Sequence, residues 1–238
     1  MHSKRLDLAT NMSGERLHRT MPTQIADALA IEIIEERHAP GARLNELEIA
    51  ARWGVSRSPV REALHIVEKR GLVVITPQRG ARVTLLSEDE VEELFEIREV
   101  LVGLAAKIAA QNIDGPATEQ LGQALHILEA SIKNPEQYER ASAAATMLMA
   151  RISKRLNLID MIASFADRIG RYARLGLASQ GRRDASLLRW KAVFALIRSG
   201  EGDLAEKACR QLSRENWAEA IRVLRKRLLI SAVPNSQP

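Results

Sequence analysis

The sequence predicts a mostly α-helical protein: an N-terminal winged helix-turn-helix followed by an all-α bundle of six to seven helices. Three observations carry this. Apolar residues recur at helical spacing through most of the chain, and β-branched extended runs cluster only between residues 72 and 85. Glycine, proline and asparagine fall mainly between the periodic segments. The 238 residues are 46% apolar, enough for more than one core, which excludes disorder of the whole chain.

Residues 1–20 are polar and basic without periodicity and read as a flexible arm. From Thr23 a helix is expected on Ile25, Leu29 and Ile33, ending near His38 ahead of Ala39-Pro40-Gly41. Asn45, with Glu48 three residues on, caps a short second helix over 46–53, and Gly54 ends it. Ser56 is expected to cap a third helix, with Pro59 in its first turn and Val60, Leu64 and Val67 inward, running to Gly71. The runs Leu72–Thr76 and Ala81–Leu85, joined by Pro77-Gln78-Arg79-Gly80, form a hairpin, the wing. Residues 21–86 make up this first domain.

Ser87, followed by Glu88, Asp89 and Glu90, starts the bundle, assigned to residues 87–230 with a tail at 231–238. Its first helix carries Val91, Leu94, Phe95, Leu101, Leu104 and Ile108 on one face. Further helices are expected over 117–133, 136–155, 157–178, 184–199 and 202–229, with breaks near Asn134-Pro135, Leu156-Asn157, Gln180-Gly181 and Gly200.

The formal charge is only +5, yet residues 52–82 hold seven basic and two acidic side chains, so the whole excess sits there. A basic segment on a neutral body is the footprint of a polyanion binder. In a helix-turn-helix the second helix enters the major groove by its N-terminal residues. Here that segment is Gly54-Val55-Ser56-Arg57-Ser58-Pro59-Val60-Arg61. Arg57 suits bidentate contact to guanine, because only the planar guanidinium supplies that fork, and Arg61 suits a base or a phosphate.

Leu44-Asn45-Glu46, GVSRSPVREAL at 54–64, Gly71-Leu72-Val73 and Pro77-Gln78-Arg79-Gly80-Ala81-Arg82-Val83 resemble the winged-helix signature of the GntR family. The resemblance implies operator contacts from Ser56, Arg57, Ser58, Pro59 and Arg61, and a wing tip, Arg79 and Gly80, in the adjacent minor groove. Leu47 departs: relatives often have a basic residue there, so a contact they make is missing. Phe95-Glu96-Ile97-Arg98-Glu99-Val100-Leu101 and Gly103-Leu104-Ala105-Ala106 are similar to the first bundle helix of the FadR-like (FCD) branch, which dimerises and binds an effector.

Many members of that branch hold a divalent metal through an aspartate and three histidines. The corresponding positions here are Ser142, Thr146, Trp190 and Leu212, none a proper ligand, and His126, the one histidine of the bundle, reads as packed. A bundle without metal or other cofactor is therefore expected. An unknown small effector, an organic acid among the options, would then need Arg98, Arg151, Arg171 or Arg174, with Tyr172, Trp190 and Phe194 as walls.

The expected protein is a metabolite-responsive repressor that binds an inverted-repeat operator in double-stranded DNA as a homodimer. Two readings compete: a winged-helix adaptor that binds protein rather than DNA, and an enzyme on a helical scaffold. The arginine-rich recognition segment opposes the first. The lack of GxSxG, P-loop, GxGxxG and metal-spaced histidine motifs opposes the second, so no catalytic residue is assigned. The single Cys209 excludes a disulfide framework and reads as a buried, inert thiol. With no long apolar run and no hydrophobic leader, a cytoplasmic location away from membranes is expected.

Overall fold

The computed structural model describes residues 20–231, so the expected arm before Thr20 and the tail after Ser231 lie outside the described residues. The chain runs α1 (Met21–Ile34), β1 (Arg43–Leu44), α2 (Glu46–Trp53), α3 (Arg57–Lys69), β2 (Val73–Thr76) and β3 (Gly80–Val83). There follow α4 (Glu88–Gln111), α5 (Gly115–Ser131), α6 (Pro135–Ile152), α7 (Leu156–Gly176), α8 (Gln180–Arg198) and α9 (Gly202–Ser231). One core gathers α1 to β3 around Ile25, Leu29, Ile33, Leu64 and Val67, and Val55 packs against it. A second fills the bundle with Leu121, Leu128, Tyr138, Met149, Trp190 and Phe194.

The first helix stops at Ile34, four residues before the expected end. Glu36 adopts φ 59°, its N–H donates to Ile33 O, and the Arg37 N–H donates to Glu32 O at 2.9 Å. That is a Schellman closure with glutamate where glycine is usual, which hides it from a search for breakers. The hairpin gains a third strand: the two-residue β1 pairs antiparallel with β3, giving the order β1-β3-β2. At the wing the Arg79 N–H donates to Thr76 O at 3.1 Å, with Pro77 and the left-handed Gln78 between, a type II pattern.

Gly54 ends α2 in the left-handed region at φ 63° and turns the chain into α3. Asn45 caps α2 by accepting from the Leu47 N–H, and its amide donates to Glu48. Ser87 and Glu90 form a complete capping box at α4. Ser56, by contrast, is extended but accepts no capping hydrogen bond. The reason is local: its N3 residue is Pro59, which has no N–H to offer. In the bundle, the break expected at Gln180-Gly181 is instead the first turn of α8, because Ser179 caps it from the Arg182 N–H.

Candidate nucleic-acid interface and bundle cavity

Helix α3 turns Val60, Ala63, Leu64 and Val67 into the core, which leaves Arg57, Ser58 and Arg61 on the outer face. The uncapped start of α3 keeps the Ser56 hydroxyl and the first backbone N–H groups available to an anion. Pro59 is half-buried beneath them and sets the first turn. Both arginines converge on one acceptor that the basic-segment reading passed over. Arg57 donates from Nη2 (2.8 Å) and Nε (3.2 Å), and Arg61 from Nε (2.9 Å), all to Oε2 of Glu46 in the first turn of α2. Burial would raise the Glu46 pKa, but the Arg57 and Arg61 hydrogen bonds outweigh it and hold the carboxyl below its ordinary value. A carboxylate thus holds the two cations of the outer face in a fixed relation while more than half of each side chain stays in water.

At the wing, Arg79 is exposed and makes no ion pair among the described residues, and Gly80 holds φ 78°. Arg43 and Arg82 lie directly opposite in the β1–β3 register, both exposed, and Arg82 donates to Gly41 O at 3.0 Å. Like charges facing across strands are unfavourable without an anion between them. Arg43 was missed because its strand is two residues long. Leu47 stands out from α2 at 60% exposure, an apolar side chain at the edge of this surface.

The four positions equivalent to the family's metal ligands, Ser142, Thr146, Trp190 and Leu212, all line one cavity of about 50 Å³ in the bundle. The Trp190 Nε1–H donates to Ser142 Oγ at 3.2 Å, so two of those positions are bonded to each other. Hydroxyl, indole and isobutyl groups do not fit a divalent metal. Among the described residues no cluster of three or more His, Cys, Asp or Glu side chains is placed to hold one.

Of the seven residues expected around an effector, Arg98 and Trp190 line this cavity and the others do not. Arg151 is exposed on α6. Arg174 pairs with Glu136 at the α6–α7 surface. Phe194 is fully buried in the core, tilted against Trp190 at 5.2 Å between ring centroids. Arg171 and Tyr172 sit at the junction with the winged helix, lining a cavity of about 10 Å³ with Ile33, Leu72 and Leu86. The three-residue spacing puts Arg171 and Arg174 on one helix face, but Arg171 meets the winged helix while Arg174 pairs with Glu136, so a shared face does not mean a shared site.

Arg98 is drawn inward and has no hydrogen bond or ion pair within 4 Å among the described residues. Burial lowers its pKa, opposed by Cys209 and Glu139. Glu139 faces the same cavity, and burial raises its pKa against the pull of Arg140, Arg174 and Arg98. The Ser213 hydroxyl, also on the wall, is buried without a hydrogen-bond partner among the described residues. Cys209 is buried, donates weakly to Val102 O, and burial pushes its thiol up to about 12, which makes it inert. His126, expected to be packed, is exposed on α5.

Helix α7 joins the two regions. Ala173 and Leu177 at its C-terminal end line the cavity, whereas Arg168, Arg171 and Tyr172 face the winged helix. Arg70 of the first domain pairs with Asp27 at 2.7 Å and reaches Asp167 of α7 at 3.8 Å. Arg140 of α6 pairs with Glu35 at 2.6 Å.

Residues 22–83 match the bacterial regulatory proteins, gntR family, and residues 93–215 match the FCD domain. The HTH-type transcriptional repressor RspR of Escherichia coli K12 is 28% identical over 215 residues, covering 89% of this chain and 94% of that protein. A probable D-xylose utilization operon transcriptional repressor of Paenarthrobacter nicotinovorans is 38% identical over 111 residues, 46% of this chain and 49% of that protein. The solved structure of E. coli McbR/YncC has the same fold, with TM-score 0.75 at 18% identity over 87% of this chain and 99% of that one. Among the described residues no helix is long and apolar enough to cross a membrane.

Proposed function

Because the chain belongs to the GntR family of bacterial transcription regulators and carries their FCD domain, we propose that it is a cytoplasmic, metabolite-released repressor, reading an inverted-repeat operator as a homodimer. The observation that carries this is the outer face of α3, where Arg57 and Arg61 stand exposed on a helix start whose N–H groups are uncapped. Arg57 takes a guanine edge, Arg61 a base or phosphate, Ser56 and Ser58 phosphates at the helix start, and Arg79 with Gly80 the minor groove. One helix reads few base pairs, so two copies are needed for useful specificity. Ile97, Val100 and Leu104, exposed at three- and four-residue spacing on α4, offer an apolar stripe for the second copy.

The effector occupies the bundle cavity, and no metal or catalytic step is involved. Seating it against Ala173 and Leu177 biases α7, and α7 bears on the winged helix through Asp167, Arg168 and Arg171. Arg57→Ala tests the reading directly. One lost bidentate contact costs about 1–3 kcal/mol, so operator affinity falls roughly five- to 150-fold and discrimination at that base is relaxed. Unchanged affinity and sequence preference in a mobility-shift assay would remove Arg57 from the interface.

A further inference from the structure

The bundle cavity presents two opposite charges that do not satisfy each other. Arg98 and Glu139 both line it, yet no ion pair within 4 Å joins them. Beside them the Ser213 hydroxyl, 5% exposed, has no hydrogen-bond partner among the described residues. A buried polar group without a partner is costly, and here one such hydroxyl stands beside two half-buried opposite charges that do not pair with each other, an arrangement that a ligand carrying both charges satisfies. Of the rest of the wall, Phe95, Val102 and Leu212 are apolar, and the Ser142 and Thr146 hydroxyls and the Asn216 amide oxygen are already engaged within the protein.

Each unsatisfied group states a requirement. The guanidinium needs a carboxylate, for which its planar fork is suited. Glu139 needs a cation or a strong donor, and the one buried hydroxyl of the wall left without a partner among the described residues is that of Ser213. A simple organic anion answers Arg98 but sets its charge in the same cavity as the Glu139 carboxylate. A zwitterion answers both, and leaves the site neutral. Size adds a bound: a water needs about 10–15 Å³, so a cavity of about 50 Å³ takes only a ligand of few atoms.

We propose that the cavity binds a small α-amino acid, its carboxylate on Arg98, its ammonium on Glu139 and its side chain against the apolar wall. This rests on the regulator reading for its consequence, release of DNA, but the site itself stands on the cavity's chemistry. The burial that raises the Glu139 pKa is the same penalty that a bound ammonium removes.

The test is calorimetric titration of the full chain with L-alanine, L-serine and L-valine, each beside its 2-hydroxy acid and its amide. At least one amino acid binds, and its hydroxy acid and amide bind about tenfold or more weakly, since each loses one charge-assisted contact. Arg98→Gln abolishes binding. Glu139→Gln removes the preference for the amino acid over the hydroxy acid. Ser213→Ala, which deletes only a hydroxyl, weakens binding a few-fold and serves if Arg98→Gln fails to fold. Binding of none of the three amino acids, or equal binding of a hydroxy acid, overturns the proposal. Operator binding measured on the same preparations separates the two readings: if it persists without amino-acid binding, only the zwitterion site falls.

Discussion

Replacing Glu46 by glutamine removes the acceptor shared by Arg57 and Arg61 while keeping the side chain's size. The stability cost is small. Both arginines are more than half exposed, so each pair contributes about 0–1 kcal/mol after screening. Glu46 also sits in the first turn of α2, where a negative charge adds about 0.3–1 kcal/mol through the helix dipole. The sum is about 1 kcal/mol, a Tm loss of about 2–4 °C for a chain this size. The effect on DNA is larger and has two signs. Removing a negative charge from the interface strengthens binding to random duplex, several-fold at low salt. Releasing two arginines into many rotamers costs about 0.5–1.5 kcal/mol each when a defined site is bound, so discrimination drops by about tenfold. Fluorescence anisotropy across a salt series, with a duplex selected on the native protein and a scrambled one, measures both quantities. If random-duplex affinity and discrimination both stay at native values, Glu46 does not organise the recognition surface.

Glu215 accepts from Arg189 and Gln211 and from Arg182, and these bonds outweigh burial to bring its pKa to about 2. A carboxyl depressed in the folded state stabilises above its unfolded value and loses that contribution as pH falls through the folded one. The native Tm should therefore fall more steeply than that of Glu215→Gln between about pH 4.5 and 2, and parallel curves would contradict the network. Gly176 lets α7 close on α9, since a Cβ there would lie 2.2 Å from the Asn216 carbonyl oxygen. Gly176→Ala should cost about 2–3 kcal/mol and several degrees of Tm, and a native melting curve would show that the helices are not so close. The combined variant Ser142→Asp, Thr146→His, Trp190→His and Leu212→His should gain zinc-dependent thermal stabilisation that the native chain lacks. Stabilisation of the native chain by zinc or nickel would refute the metal-free reading.

Most elements were legible because each leaves a local mark. Asn45, Ser87 and Gly54 announce helix ends by their own chemistry, and the 3.6-residue repeat of Ile25, Leu29 and Ile33 announces a buried face. What sequence hid was set by non-local partners or by unusual residues in usual roles. Glu36 closes α1 in a conformation that glycine normally takes. The strand Arg43–Leu44 exists because β3 lies beside it, and two residues carry no periodicity. The cavity was legible only by matching positions to relatives: Ser142, Thr146, Trp190 and Leu212 converge as that match implied. Its charged groups were half seen. Arg98 was expected there, but Glu139 was not, since a lone acid on an amphipathic helix reads as surface.

The charge count shows the same limit from the other side. Residues 52–82 hold the whole formal excess, yet the fold brings acids from outside that segment onto its arginines. Glu32 meets Arg52, Glu46 meets Arg57 and Arg61, and Asp27 and Asp167 meet Arg70. Lys69, Arg79 and Arg82 are left without a carboxylate within 4 Å among the described residues, and Arg43 joins Arg79 and Arg82 at the wing. The positive surface is therefore strongest at the wing, while the cations of α3 are partly neutralised. This division suits a protein that must distinguish sites. Unpaired wing arginines attract any duplex through its phosphates, a contribution blind to sequence. Under the proposed reading, Glu46 fixes Arg57 through Nε and Nη2 so that its remaining guanidinium N–H groups meet a base edge in one orientation, which a phosphate contact does not require.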